Sequence, residues 1–122
     1  MKAMKYLLIV LLSLGFIHIQ AQSVQRSLLH DNNNRTYRLY VPDSYDAGKE
    51  TPLVLAFHGL GDKAANFEGI GFNALADQDT FIAVYPQATV DQLFGASAWN
   101  AGVGALGFTI NSGTDDVGFI DA

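Results

Sequence analysis

Residues 52–61, Pro-Leu-Val-Leu-Ala-Phe-His-Gly-Leu-Gly, constrain the fold more than any other stretch. Five apolar residues, Leu53 to Phe57, run without interruption and stop abruptly at His58-Gly59-Leu60-Gly61. A half-exposed strand alternates in polarity, whereas a strand buried on both faces reads as a continuous apolar run. The expected element is therefore a buried parallel strand. It delivers a tight, glycine-bearing loop to the edge of a sheet.

The rest of that unit follows in order. Ala64, Phe67, Ile70, Phe72, Ala74 and Leu75 share one broad helical face, which predicts a helix from Asp62 or Lys63 to about Gln78. Gly69 and Gly71 weaken its middle by about 1 kcal/mol each. Residues 80–85, Thr-Phe-Ile-Ala-Val-Tyr, predict a second buried strand stopped by Pro86. Strand, helix and strand at this spacing form a right-handed βαβ unit in a parallel sheet.

Two strands precede it. Residues 23–30 carry Val24, Leu28 and Leu29, and residues 35–41 alternate, with Tyr37, Leu39 and Val41 opposite Thr36, Arg38 and Tyr40. Asp31-Asn32-Asn33-Asn34 between them predicts a hairpin turn, because Asn and Asp tolerate left-handed backbone. The sheet is thus expected to be mixed. The same Asp and Asn cluster lacks the spacing and distal Glu of a calcium loop, so no metal site is assigned. Residues 42–52 are polar and bounded by Pro42 and Pro52, hence a surface loop.

Beyond Pro86 the periodicity fades. Gly95, Gly102, Gly104, Gly107 and Gly113 punctuate a predicted loop from Gln87 to about Thr114. Loops of that length in compact domains are usually functional or disordered. Asp115 and Asp116 precede the apolar Val117-Gly118-Phe119-Ile120 and read as the cap of a helix.

The chain has 122 residues, enough for one small domain. Its first 21 residues are read apart from that domain. Lys2 and Lys5, the apolar run Tyr6 to Ile19 and the small Ala21 give the pattern of a secretory signal peptide. That run has 14 residues, short of the ~20 that cross a bilayer, so no stable membrane anchor is expected. Residues 22–122 are the domain, exported to the periplasm or the extracellular space. They hold 5 basic and 12 acidic residues, formally −7, and no basic patch that would take nucleic acid as a partner. With no cysteine there are no disulfides and no thiolate metal sites. Gly69-Ile70-Gly71-Phe72-Asn73-Ala74 spells a dinucleotide motif but follows no strand, so no cofactor is assigned.

Chemistry concentrates in the 58–61 loop. Backbone N–H groups of such a loop stabilise a developing oxyanion in acyl transfer. Leu60 offers the N–H, while Gly59 and Gly61 let the backbone turn and approach a substrate. The alternative is a strand-to-helix turn with no catalytic use. His58 ends the strand and is read as fixing the loop by hydrogen bonds, not as a general base. Gly95-Ala96-Ser97-Ala98-Trp99 lacks the second glycine of a nucleophile elbow and follows no buried strand, so Ser97 is not assigned as a nucleophile. Trp99 and Asn100 are candidates for the substrate cleft, with Trp99 equally an anchor that holds the loop down.

An ordered set of motifs carries a resemblance. Arg35-Thr36-Tyr37-Arg38-Leu39-Tyr40-Val41-Pro42, Pro52-Leu53-Val54, His58-Gly59, Tyr85-Pro86, Trp99-Asn100-Ala101-Gly102 and Asp115-Asp116-Val117-Gly118-Phe119 occur in that order. Together they resemble the secreted polyhydroxybutyrate depolymerase-like or feruloyl esterase-like proteins of the α/β-hydrolase superfamily. The resemblance implies an α/β fold, here the N-terminal part of an α/β-hydrolase: an antiparallel hairpin leading into a parallel βαβ sheet, ending before the nucleophile elbow. It implies that residues 53–57 neighbour residues 80–85 on one side and a strand beyond Ala122 on the other. The nucleophile serine, the acid and the histidine of the triad would also lie beyond Ala122, leaving this segment inactive alone. The implied substrate is a carboxylic ester, polyester or feruloylated polysaccharide, which the sequence does not choose between. The rival expectation is a non-catalytic secreted module that binds glycan or polymer. Oligomeric state is not legible.

Overall fold

The computed structural model describes residues 22–102, 104–105 and 107–122. The apolar run of the proposed signal peptide lies outside them. The first two strands, β1 (Gln22–His30) and β2 (Asn33–Val41), pair antiparallel over their whole length, Gln22 opposite Val41 and His30 opposite Asn33. The turn is shorter than the four polar residues suggested. Asp31 and Asn32 alone make it, with φ of 48° and 59°, and Asn33 and Asn34 already belong to β2. Two consecutive positive φ values define the type I′ turn whose twist matches the flanking strands.

Two further strands complete the main sheet. β3 (Leu53–Leu55) and β4 (Ile82–Pro86) pair parallel, and β4 pairs antiparallel with β2, giving the order β1-β2-β4-β3. The sheet is mixed and the βαβ unit is present. Three expectations need correction. The ladder of β3 ends at Leu55, with one more bond from the Ala56 N–H to the Val84 carbonyl, instead of reaching Phe57. β4 starts at Ile82, not Thr80, because Thr80 (φ 53°) closes the preceding helix with its N–H on the Ala76 carbonyl. The expected single helix is broken into α1 (Ala64–Phe67), a 3-10 turn (Glu68–Ile70) and α2 (Phe72–Asp79). Gly71, at φ 114°, is the break, a conformation that side-chain-bearing residues avoid.

Helices cover one face of the sheet. Tyr40, Ala56, Ala64, Ala76, Ala83 and Tyr85 form the buried core, with Phe67, Phe72 and Phe81 packed against it. Register puts Thr36, Arg38 and Tyr40 of β2 on this face, beside Ala83 and Tyr85. The more polar face of β2 is thus the helix-facing one. Its polar ends are met: Arg38 pairs with Glu68, the Tyr40 hydroxyl donates to Asp77 at 2.8 Å, and the Tyr85 hydroxyl donates to Asn73 at 2.7 Å. Burial, reinforced at Tyr40 by the Asp77 carboxylate, pushes both phenols up to about 12.

The opposite face is open over β3. Leu53 and Leu55 are 57% and 38% exposed, on the same side as Ile82, Val84 and Leu39. β3 was expected to be buried on both faces. Among the described residues it is an edge strand paired with β4 alone. At the far end of this open face, α3 (Asp116–Asp121) docks on β2. Buried Arg35 forms an ion pair with buried Asp116 at 2.6 Å, and its guanidinium lies 4.0 Å from the centre of the Phe119 ring.

The long stretch after Pro86 is built, not structureless. β5 (Thr89–Val90) pairs with β6 (Ser97–Ala98), and β7 (Gly104–Ala105) pairs with β8 (Phe108–Thr109). Two side chains hold these pieces. Asp91 accepts from the N–H groups of Leu93, Phe94 and Asn111. Asn111 donates to the carbonyls of Thr89 and Ala98.

Candidate functional site

The loop after β3 is a turn pinned by its neighbours. The Asp62 N–H donates to the Gly59 carbonyl at 3.2 Å. Leu60 has negative φ and Gly61 a φ of 74°, the pattern of a type II turn, which requires a left-handed third residue. Gly61 is needed for that φ.

Several polar groups of this turn are engaged. The His58 ring donates through Nδ1 to the Gly59 carbonyl at 2.8 Å. Its Nε2 accepts from the Ala88 N–H at 3.1 Å and from the Gln87 amide at 3.1 Å. Both ring nitrogens are thus spent on backbone and amide groups, in the one neutral tautomer these partners allow. The His58 carbonyl accepts from the Trp99 indole at 2.9 Å. The Gly61 N–H donates to the Ser97 carbonyl at 2.8 Å, and the Ser97 hydroxyl donates to the Asp62 carbonyl at 2.5 Å. Gly61 was grouped with Gly59 and Leu60 as part of the oxyanion loop. Its N–H is committed to Ser97, so it shapes the turn and donates nothing outward.

The Leu60 N–H, like that of Gly59, has no partner among the described residues, and Leu60 itself is exposed. A Cβ built on neighbouring Gly59 would meet nothing within 4 Å, so the space beside this N–H is open. A donor held in place and left unpaired can receive an incoming oxygen without reorganising.

Trp99 lies beside the turn. Its ring meets Phe57 edge-on at 5.2 Å and His58 at 5.3 Å, so the indole anchors the loop and also forms a wall. The wall belongs to an apolar groove of about 370 Å³ lined by Phe57, Trp99, Ala101, Val117 and Ile120. Asn100, the other cleft candidate, also lines it, but its polar groups face inward. Its N–H donates to Asp116 at 2.6 Å and its side chain to the Thr114 carbonyl at 2.9 Å. Asp116 therefore bridges Arg35 and the loop. Its neighbour Asp115 caps α3 by accepting from the Gly118 N–H at 2.9 Å, a bond that with nearby His30 holds its carboxyl below the usual range. His30, Asp31 and Asp115 gather at the start of α3 and line none of this groove.

Sequence reasoning missed two residues here. Arg35 reads as one more position of an alternating strand, and only its pairing with Asp116, 81 positions away, shows that it docks α3. Ser97 was considered as a nucleophile alone. Its hydroxyl hydrogen is spent on a backbone carbonyl.

Comparison with protein-family models and with curated proteins finds no match. Among solved structures, a ferulic acid esterase shares the fold with a TM-score of 0.50 at 21% identity. The likeness covers 60% of this chain and 33% of that one, so the chain spans about a third of the esterase's length. At this identity the likeness is one of fold.

Proposed function

We propose that this chain is the N-terminal part of an exported serine esterase with the α/β-hydrolase fold, of the polyhydroxybutyrate depolymerase-like or feruloyl esterase-like kind. The observation that carries the reading is the unpaired, exposed Leu60 N–H in a turn pinned by His58, Ser97 and Trp99. The parallel pairing of β3 with β4, the neighbour relation that the resemblance implies, supports it, as does the fold shared with a ferulic acid esterase.

In this reading the nucleophile, acid and histidine base lie further along the same reading frame. The serine attacks the ester carbonyl, and the histidine takes its proton. Negative charge develops on the carbonyl oxygen, where the Leu60 N–H and the N–H of the residue after the serine receive it. The histidine returns its proton to the leaving oxygen as collapse expels the alcohol, and the acyl-enzyme that remains is hydrolysed by a water activated by the same histidine, releasing the acid and the free serine. The groove between Phe57, Trp99, Val117 and Ile120 takes an apolar acyl or aryl part of a polyester or feruloylated polysaccharide. Residues 1–21 are the export signal, and residues 22–122 the first part of the catalytic domain.

The test is to read the encoding DNA past codon 122 and assay the protein made from the complete frame on p-nitrophenyl acetate and methyl ferulate. The expected result is a further strand followed by G-x-S-x-G, and turnover above a control protein. A stop codon directly after codon 122, or a complete protein that hydrolyses neither ester, contradicts the reading and favours a non-catalytic binding module.

A further inference from the structure

We propose that Ser97 is a positioning residue for this reaction, fixing the turn so that the Leu60 N–H is held where the oxyanion forms. The proposal rests on the esterase reading above. Ser97 grips the turn at two points, its carbonyl on the Gly61 N–H at 2.8 Å and its hydroxyl on the Asp62 carbonyl at 2.5 Å. The residue is itself immobilised. It pairs with Val90 in the β5–β6 ladder, and the next carbonyl, that of Ala98, accepts from the Asn111 side chain at 2.5 Å.

The turn needs such a grip because of its glycine. Gly61 can adopt negative φ as readily as its present 74°, so the central peptide of the turn can flip between type II and type I forms. That flip turns the Leu60 carbonyl and the Gly61 N–H and changes ψ of Leu60, the residue that carries the donor, so the grip on both flanks of Gly61 holds one form and with it the place of Leu60. A donor that acts on a transition state does so by position, and a misplacement of ~1 Å can lower a rate by ~100-fold. The rest of the surroundings fix the start of the loop: Trp99 and the His58 ring hold residues 58 and 59, upstream of the corner. Ser97 alone, among the described residues, holds the corner and the exit together.

The hydroxyl carries the testable part, because any residue at 97 keeps the carbonyl. In the protein made from the complete reading frame, Ser97→Ala is expected to lower kcat for p-nitrophenyl acetate about tenfold with KM within about twofold. Ser97→Thr, which keeps the hydroxyl, is expected to restore most of kcat. If Ser97→Ala does not fold, Ser97→Val, matched in shape to threonine, takes its place against Ser97→Thr. A role in folding alone would lower the melting temperature and leave kcat per folded molecule unchanged, and that result overturns the proposal. So does a loss that appears only in KM, or a Ser97→Thr protein as impaired as Ser97→Ala. A wild-type protein that hydrolyses no ester overturns the esterase reading, and the proposal falls with it. An active wild type with an indifferent Ser97→Ala overturns the positioning role alone.

Discussion

The β1–β2 hairpin and the stretch from Gln87 to Thr114 hold their shapes in different ways. The hairpin is a continuous nine-residue backbone ladder closed by two left-handed residues, with the Arg38 side chain donating across it to the Ser23 hydroxyl. Among its described residues the later stretch has only two-residue ladders. Asp91, Asn111 and Asn100 add side-chain bonds to backbone groups of this stretch. Backbone-held structure spreads its stability over many equivalent bonds. Side-chain-held structure concentrates it in a few anchors, and it is this kind that presents Ser97 and Trp99 to the loop after β3.

Acid breaks the comparison most widely, since it acts on several anchors at once. Asp91 is held below the usual carboxylate range by the Asn111 N–H, then by the Phe94 N–H. Asp62 is lowered by the Asn66 side chain and the Lys63 N–H, and Asp115 by the Gly118 N–H and His30. In each case the folded form binds its proton less readily than the unfolded chain. The stabilisation is therefore present above about pH 4 and is lost as pH falls through the lowered folded values. Hydrogen exchange in acid should show residues 91–118 losing protection before the hairpin does. Simultaneous loss would mean that the two regions do not differ in this way.

Arg35→Ala comes next, because Arg35 joins the two regions. It leaves the buried Asp116 carboxylate without its charge partner and is expected to destabilise by about 4 kcal/mol in urea unfolding of the complete protein. A change near zero would show that α3 docks through Phe119 packing alone. Asn111→Ala removes the bonds that its side chain donates to Thr89 and Ala98 and places alanine at a φ of 49°, for an expected loss of about 2 kcal/mol. A loss equal to that of an exposed hairpin substitution such as Asn33→Ala would remove the contrast. The smallest effect is a gain. Asn32→Gly suits the second position of the type I′ turn and is expected to stabilise by about 0.5 kcal/mol.

The same contrast decides what was legible. Alternation at Tyr37, Leu39 and Val41, the Asp-Asn turn and the apolar run at Leu53 announce β1, β2 and β3, because these elements follow a period and local turn chemistry. Asp115 as a cap is equally local, bonding three residues ahead. Gly71 was legible as a weakness but not as a break, since helix propensity does not say when a glycine will turn left-handed. The exposure of Leu53 and Leu55 was hidden, because an apolar run reports what a strand can bury and not what lies on it. The grip of Ser97 on Asp62 joins residues 35 apart through one hydroxyl and leaves no periodic trace. His58, by contrast, was read as a loop-fixing ring from its place at the strand end, and its two nitrogens contact Gly59 and Ala88.

The most direct test of the account watches the Leu60 amide itself. The protein from the complete reading frame, labelled with nitrogen-15 leucine, would be titrated with a phosphonate ester that traps a serine nucleophile as a tetrahedral anion. The account predicts a strong downfield shift of the Leu60 N–H proton on trapping, with other leucine amides remote from the site unmoved. Trapping at the serine with the Leu60 signal unchanged would contradict it, since the oxyanion would then be held by other donors.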